Sequence, residues 1–204
     1  MALKICKWTF LLLIISLPLV RPFNSRIYGL LVPFTDYIFL AVFVLWIIAL
    51  LRKETAVTHD KLYVFIGLFA FAVTISAVFS VQPERSFVKL AGEYYLFALA
   101  VLTFNLASEK EFFHKILKAW LAGTGLTVLA FLAGFVLFYA GFKTQAENYF
   151  LSHYGSLPAG DYPRIHALFA NANMMCNFLN VGLMFAVLAE KTERLKIVLA
   201  RVMQ

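Results

Sequence analysis

The stretch ILKAWLAGTGLTVLAFLAGFVLFYA, residues 116–140, decides the fold class of this chain. Its one charged residue, Lys118, lies in the first turn, where a long side chain can reach the headgroup region. About 20 consecutive apolar residues suffice for a helix to cross the hydrocarbon core of a bilayer. Glycines within such a helix allow neighbouring helices to approach closely. The stretch therefore predicts a transmembrane helix packed against other helices.

Apolar runs of this kind recur along the whole chain, which is 62% hydrophobic and 14% charged, with a mean hydropathy of +0.82. Soluble domains contain about half apolar and a quarter charged residues, so this composition favours an integral membrane protein. The predicted spans are residues 5–20, 33–51, 62–79, 90–107, 116–140 and 165–189. We therefore expect an all-α fold, a polytopic transmembrane helix bundle of about six spans, in which residues 1–204 form a single domain.

The basic residues are distributed unequally between the two sides of this predicted bundle. Twelve of the 18 Lys and Arg residues fall on the side that also holds both chain ends. The other side holds Arg21, Arg26, Arg85, Lys89, Lys143 and Arg164. Cytoplasmic loops of membrane proteins are enriched in Lys and Arg, so both ends are predicted to be cytoplasmic. These loops and headgroup contacts also explain the net charge of +7, and no nucleic-acid partner is expected.

The last apolar run begins with an unusual group of polar residues, YPRIHALFANANMMCNFLN, at 162–180. On a helix that starts at residue 165, four polar side chains share a stripe about 60° wide, while Asn171 points the other way. The four are His166, Asn173, Asn177 and Asn180. Lipid cannot satisfy such groups. The stripe therefore either forms hydrogen bonds with a neighbouring helix or lines a wet cavity open to the outside.

Arginines lie just beyond helix ends on the predicted outer side, where the inside bias should have removed them. They are Arg21, Arg26, Arg85 and Arg164. Guanidinium groups stay charged and bind phosphate oxygens bidentately, so as a set they predict an anionic ligand such as a lipid-linked diphosphate. The alternative for each single arginine is an ordinary contact with a lipid headgroup or with a carboxylate such as Asp36.

Glu93 is a carboxylate within an apolar run, and such groups are functional candidates by default. Lys89 lies one turn before it, so a structural ion pair is the alternative. The outer loop 141–164 is rich in aromatic residues, including Tyr149, Tyr154 and Tyr162. It is interpreted either as an interfacial segment or as a surface for a sugar or lipid headgroup.

Several kinds of chemistry have no sequence motif in this chain. It lacks a Walker motif, a nucleophile elbow, a His-Glu-x-x-His sequence and a Gly-rich dinucleotide loop. Cys6 and Cys176 do not have the spacing of metal ligands. No cofactor or metal is therefore expected, and any reaction would use a substrate that is already activated and already in the membrane.

The stretch YPRIHALFANANMMCNFLNVGLMF resembles the O-antigen ligase and O-antigen polymerase superfamily of bacterial inner-membrane proteins. Members show an Arg, then Gly/Ala-x-Phe, then Asn-Pro-Asn before an apolar helix. The matching positions are Arg164, Ala167, Phe169, Asn171 and Asn173, whereas Ala172 stands where the family has proline. The stretch AVFSVQPERSFVKLAGEYYLFAL also resembles the family's passage from the third helix to the fourth.

The resemblance implies an enzyme that transfers a glycan at the periplasmic face of the inner membrane. A ligase would move the glycan from undecaprenyl diphosphate to lipid A–core, and a polymerase would move it to another glycan chain. On this view Arg164, Arg85, Arg21 and Arg26 hold the donor diphosphate. The chain is expected to be the N-terminal part of a longer protein and inactive alone. A non-enzymatic transporter or scaffold fragment, or an inactive remnant, is the alternative class.

Overall fold

The computed structural model describes residues 1–20, 24–27, 30–151 and 163–202, without the side chains of 24–27, 30–32 and 191–202. Its described residues form six helices and one pair of antiparallel strands. The helices are α1 (Ala2–Ser16), α2 (Phe34–Leu51), α3 (Leu62–Val78), α4 (Pro83–Ala107), α5 (Lys110–Tyr139) and α6 (Ala172–Val202). The strands are β1 (Asn24–Ile27) and β2 (Leu30–Pro33).

Four of the described helical segments are long and apolar enough to cross a membrane. They are Phe34–Leu51, Pro83–Ala107, Lys110–Tyr139 and Ala172–Glu190. Helix α3 is apolar but has only 17 residues. The chain is therefore a helical protein with the features of a membrane protein, as its composition predicts. The number of spans and the side on which the ends lie stay predictions.

The helices and the predicted spans differ in their first and last residues. Hydropathy identifies the part of a helix that lies in lipid, whereas the structure gives the bounds of the whole helix. Helix α4 starts at Pro83 instead of residue 90, with proline at a first-turn position that needs no N–H partner. Helix α5 starts at Lys110 instead of residue 116. Helix α1 is shifted toward the amino end, to Ala2–Ser16.

A short strand pair between α1 and α2 accompanies the helices of the predicted all-α fold. Strands β1 and β2 pair antiparallel, with Asn24 opposite Pro33 and Ile27 opposite Leu30. Arg26 lies on β1, opposite Leu31. With four residues per strand, the alternation of apolar and polar residues is too short to distinguish a strand from a connecting loop.

The chain divides into two compact units, each described here by itself. The first comprises Met1–Trp8 and Ala41–Phe113, and the second Thr9–Leu40 and His114–Gln204. In the first unit, hydrogen bonds hold α3 against α4. The buried Asn105 amide donates to the Tyr63 hydroxyl at 2.7 Å and accepts from the Thr58 backbone N–H at 2.8 Å. Asn105 is thus a structural residue, satisfied by its neighbours, and no sequence motif singles it out.

In the second unit, α5 packs on α6 through aromatic rings and one close backbone approach. Trp120 of α5 stacks on Phe178 of α6 with 4.9 Å between ring centroids, and Phe169 lies 5.3 Å from the same ring. Gly182 of α6 faces Thr124 of α5 so closely that no side chain fits between them. This packing fixes the start of α6, and with it the segment that carries Arg164.

Candidate functional site

Residues 163–171, which connect the outer loop to α6, form a tightly packed corner instead of the first turns of a helix. Leu151 and Ile165 form an antiparallel bridge, and the His166 N–H donates to the Phe150 carbonyl at 2.9 Å. Ala167 then takes a left-handed backbone with φ of 51°. Glycine adopts this conformation without strain, whereas alanine does so at a steric cost.

His166 does not belong to the predicted polar stripe, so that part of the prediction is wrong. Helix α6 begins at Ala172, because the left-handed residue 167 interrupts any helix that starts earlier. The imidazole is fully buried within the corner and lies edge-on to the Tyr149 ring, with 6.3 Å between centroids. His166 therefore packs in the corner. Because it lies before the start of α6, no helical angle relates it to the three asparagines.

Asn171 is the N-cap of α6. Its side-chain oxygen accepts a hydrogen bond from the Met174 N–H at 3.0 Å, and its carbonyl accepts from Met175 N–H at 3.3 Å. This geometry satisfies a helix-end donor that would otherwise lack a partner. Ala172 is consequently the first helical residue, the position where proline is most easily accommodated. The expected proline would start this helix and would not kink it.

Asn173, Asn177 and Asn180 do share one face of α6, as predicted, and all three are exposed. Their side chains form no hydrogen bond with any residue that the structure describes. Within the described chain they are therefore not the interhelical contacts that one interpretation required. Because lipid cannot satisfy three amides, this face of α6 needs water, a ligand or another protein segment.

Arg164 stands at the entrance to the corner and is half-buried. Its guanidinium forms no hydrogen bond or ion pair with any described residue. The neighbouring motif residues are all held in place: Ala167 is fully buried, Phe169 packs on Phe178, and Asn171 caps α6. The corner thus holds the backbone of Arg164 in place, and no described residue pairs with its charged group.

Asn148 is a site-forming residue that sequence reasoning missed. It is fully buried, donates from Nδ2 to the Gly134 carbonyl at 2.8 Å and accepts from the Phe150 N–H at 3.2 Å. A Cβ on Gly134 would lie 2.7 Å from the Phe150 Cβ, so the glycine lets the outer loop lie against α5. The described part of this loop is therefore packed structure, while Tyr154 and Tyr162 lie outside the described residues.

Arg85, Lys89 and Glu93 lie on successive turns at the start of α4, in the first unit. Arg85 and Lys89 are exposed, and Glu93 is half-buried. Glu84 lies beside Arg85 in the same first turn and offsets part of the positive charge there. The N-cap residue Gln82 makes no capping bond through its side chain, so the first-turn N–H groups still favour an anion.

Lys89 and Glu93 do not form the expected structural ion pair. Neither group has a hydrogen bond or an ion-pair partner in the part of the chain that the structure describes. Lysine four residues before glutamate is the less favourable order for a helical pair. Both charged groups instead line a cavity of about 400 Å³ between the end of α3 and the start of α4.

For the remaining predicted donor-binding residues, the structure gives little or no side-chain information. Arg21 lies outside the described residues, and Arg26 is described only as a backbone position of β1. Arg85 and Arg164 belong to different compact units, so each is described only in its own surroundings. Among the described residues, no group of three His, Cys, Asp or Glu side chains is arranged to hold a metal ion.

Comparison with protein-family models, with curated proteins and with solved structures finds no match to this chain.

Proposed function

We propose that the chain is part of an O-antigen ligase-like membrane glycan transferase. It would move a glycan from undecaprenyl diphosphate to lipid A–core at the periplasmic face of a bacterial inner membrane. Arg164 would contact the donor diphosphate, and Arg85, Arg21 and Arg26 would add positive charge on the same side of the membrane.

The observation that carries this proposal is the contrast between Arg164 and the motif residues around it. Ala167, Phe169 and Asn171 each have a structural task in the corner before α6. Arg164 has no such task among the described residues, although it is half-buried beside them. A preorganised cation with no partner among the described residues is suited to the charge that develops on a diphosphate leaving group.

The exposed amides of α6 support the same proposal. Asn173, Asn177 and Asn180 extend from the first turn of α6 along one face. Neutral amides can donate to phosphate oxygens and accept from sugar hydroxyls. A polar wall of this kind suits a wet donor cavity better than contact with lipid chains.

The test is the attachment of O-antigen to lipopolysaccharide in cells that carry Arg164 variants of the full-length protein. Arg164→Ala should reduce attachment at least about tenfold, because loss of a charge-assisted contact costs about 1.5–3 kcal/mol. Arg164→Lys should retain part of the activity, since lysine keeps the charge but loses the bidentate geometry. Arg52→Ala is the matched control, an exposed arginine on the predicted cytoplasmic side.

The lipopolysaccharide pattern separates the alternatives. Accumulated lipid-linked glycan with unmodified lipid A–core identifies a ligase, and attachment of single repeat units identifies a polymerase. Wild-type attachment in the Arg164→Ala strain, at equal protein levels, would refute the role of this arginine. Normal levels of lipid-linked glycan in a strain that lacks the gene would instead favour the non-enzymatic class.

A further inference from the structure

The cavity between α3 and α4 has a mixed lining that the proposed diphosphate site does not use. Its volume of about 400 Å³ lies within the usual range of small-molecule pockets. The polar lining residues are Ser76, Ser80, Ser86, Lys89 and Glu93. The apolar remainder includes Leu90, which is buried, and Phe79, which is largely exposed.

Glu93 is the residue that needs an explanation. It is half-buried within the apolar helix α4, and no described residue donates a hydrogen bond to it or pairs with its charge. Burial of an unpaired carboxylate is costly, so the cavity must supply hydrogen-bond donors from water or from a ligand. Lys89, exposed and also unpaired among the described residues, lines the same cavity, so its ammonium can donate to a ligand there.

The two charges together restrict the ligand. A phosphate group would be attracted by Lys89 but repelled by Glu93. An ammonium group would be attracted by Glu93 but repelled by Lys89. A neutral ligand with several hydroxyl groups satisfies both, because a hydroxyl donates to the carboxylate and accepts from the ammonium.

Two further features of the lining fit a sugar ring. The Ser80 hydroxyl is held in place by hydrogen bonds from Ser86 Oγ at 2.6 Å and from the Gln82 N–H at 3.2 Å. Ser76 has no polar partner among the described residues, so its hydroxyl is available to a ligand. The Phe79 ring offers a flat apolar face of the kind that covers the C–H face of a sugar.

We infer that this cavity binds a neutral sugar residue, with the Glu93 carboxylate accepting hydrogen bonds from adjacent hydroxyl groups. Lys89 and Ser76 supply the further polar contacts, and Phe79 covers one face of the ring. The inference rests on the proposed function in one respect, because that function would bring a sugar to this membrane surface. The binding chemistry itself follows from the cavity lining.

The experiment measures binding of uncharged methyl glycosides to the purified chain in detergent micelles by saturation-transfer NMR. Methyl glycosides of glucose, galactose, rhamnose and N-acetylglucosamine serve as probes. At least one should bind saturably, and Glu93→Gln should weaken it about tenfold, since hydrogen bonds to a charged group are worth about that factor. Glu84→Gln is the matched control on the same helix, outside this cavity lining, and should bind like the wild type.

Three results would overturn the inference. They are the absence of saturable binding by every glycoside, unchanged binding in Glu93→Gln, and saturable binding of glycerophosphoethanolamine in place of the glycosides. Glutamine matches glutamate in shape, and thermal unfolding of each variant shows whether it is folded. Ser76→Ala provides a second variant, which should weaken binding through loss of one hydroxyl.

The outcome is independent of the test of the proposed function, because methyl glycosides carry no diphosphate. Glycoside binding together with unchanged O-antigen attachment in Arg164→Ala would overturn the donor-binding role and leave this inference standing. Loss of attachment in Arg164→Ala without glycoside binding would do the reverse.

Discussion

Gly182 illustrates how a single residue determines helix packing in the second unit. A Cβ placed there would lie 2.4 Å from Thr124 Oγ1 and 2.7 Å from Thr124 Cγ2, distances that real side chains do not tolerate. Gly125, one residue further along α5, has no atom within 4 Å of such a Cβ. The two glycines therefore occur in the same unit for different reasons, and only Gly182 is required by a close approach.

We predict that Gly182→Ala destabilises the protein by about 1–3 kcal/mol, the usual cost of inserting a methyl group into a full interface. Gly125→Ala should be neutral or stabilising, because alanine is the better helix former by about 1 kcal/mol. Thermal unfolding in detergent, followed by tryptophan fluorescence, measures both. Equal unfolding temperatures for the two variants would refute the close approach of Gly182 and Thr124.

At the scale of elements, the start of α6 shows what the sequence can and cannot predict. The apolar run after residue 172 predicts a helix correctly, and the shared face of Asn173, Asn177 and Asn180 follows from helical geometry. Helical phase misplaces His166, because the apolar run continues back through Ala167, whose left-handed backbone depends on tertiary packing. Asn171 is a recognisable N-cap residue, so local rules could have placed the boundary.

Other parts of the fold depend on contacts between distant residues, and no local pattern predicts them. The buried amide of Asn148 is satisfied by Gly134 of α5, across a turn that the loop makes at Gly141. The cavity beside Glu93 lies where the end of α3 meets the start of α4, and there Ser86 Oγ donates a hydrogen bond to Ser80 Oγ. The position of Glu93 in an apolar run marks it as a candidate, but no local pattern shows that it has no ion-pair partner among the described residues.

The first helical position of α6 gives a direct prediction at the element scale. Ala172→Pro should leave stability unchanged or raise it by about 0.4–1 kcal/mol, because proline is preorganised for a first-turn position. Met174→Pro, two residues later, should be destabilising. It removes the Met174 N–H, which donates a hydrogen bond of 3.0 Å to Asn171 Oδ1. Unfolding temperatures of the two variants measure the difference, and a destabilised Ala172→Pro would mean that α6 begins earlier.

The start of α1 is fixed by a carboxylate from elsewhere in the chain. Glu54 accepts hydrogen bonds from the Leu3 N–H at 2.8 Å and the Ala2 N–H at 3.3 Å, and it pairs with the Met1 ammonium at 2.8 Å. The left-handed Lys53, with φ of 57°, ends α2 and turns Glu54 toward these donors. These contacts lower the pKa of Glu54 from 4.5 to about 2. The hydrogen bond from the Leu3 N–H contributes most, followed by the hydrogen bond from the terminal ammonium.

This lowered pKa predicts a specific acid sensitivity. The stabilisation by the Glu54 carboxylate is fully present above its ordinary pKa of 4.5 and is lost as the pH falls toward 2. Glu54→Gln should therefore lower the unfolding temperature at neutral pH and reduce its decrease between pH 4.5 and pH 2. Glu111→Gln, an exposed carboxylate without a described partner, is the control. Identical acid profiles for the wild type and Glu54→Gln would exclude this cap.

At the scale of the whole molecule, the orientation of the chain depends on whether α3 crosses the membrane. Its 17 residues rise about 25 Å, somewhat less than the roughly 30 Å of a typical hydrocarbon core. Local thinning of the bilayer can accommodate such a short helix at modest cost. If α3, α4 and α5 all cross, Arg52 and Lys143 lie on opposite sides. If α3 does not, the two residues lie on the same side, and the twelve-to-six distribution of basic residues loses its meaning.

We predict that Lys143 faces the periplasm and Arg52 the cytoplasm, because the charge bias and three crossings between them agree on this arrangement. Both residues are exposed, so each can be replaced by cysteine in a background that carries Cys6→Ala and Cys176→Ser. In spheroplasts, a membrane-impermeant maleimide should label Lys143→Cys directly and Arg52→Cys only after permeabilisation. The reverse pattern would invert the orientation and remove Arg164 from the periplasmic donor. Direct labelling of both positions would show that an even number of segments crosses between them, and α3, the shortest of the three, would be the one that does not.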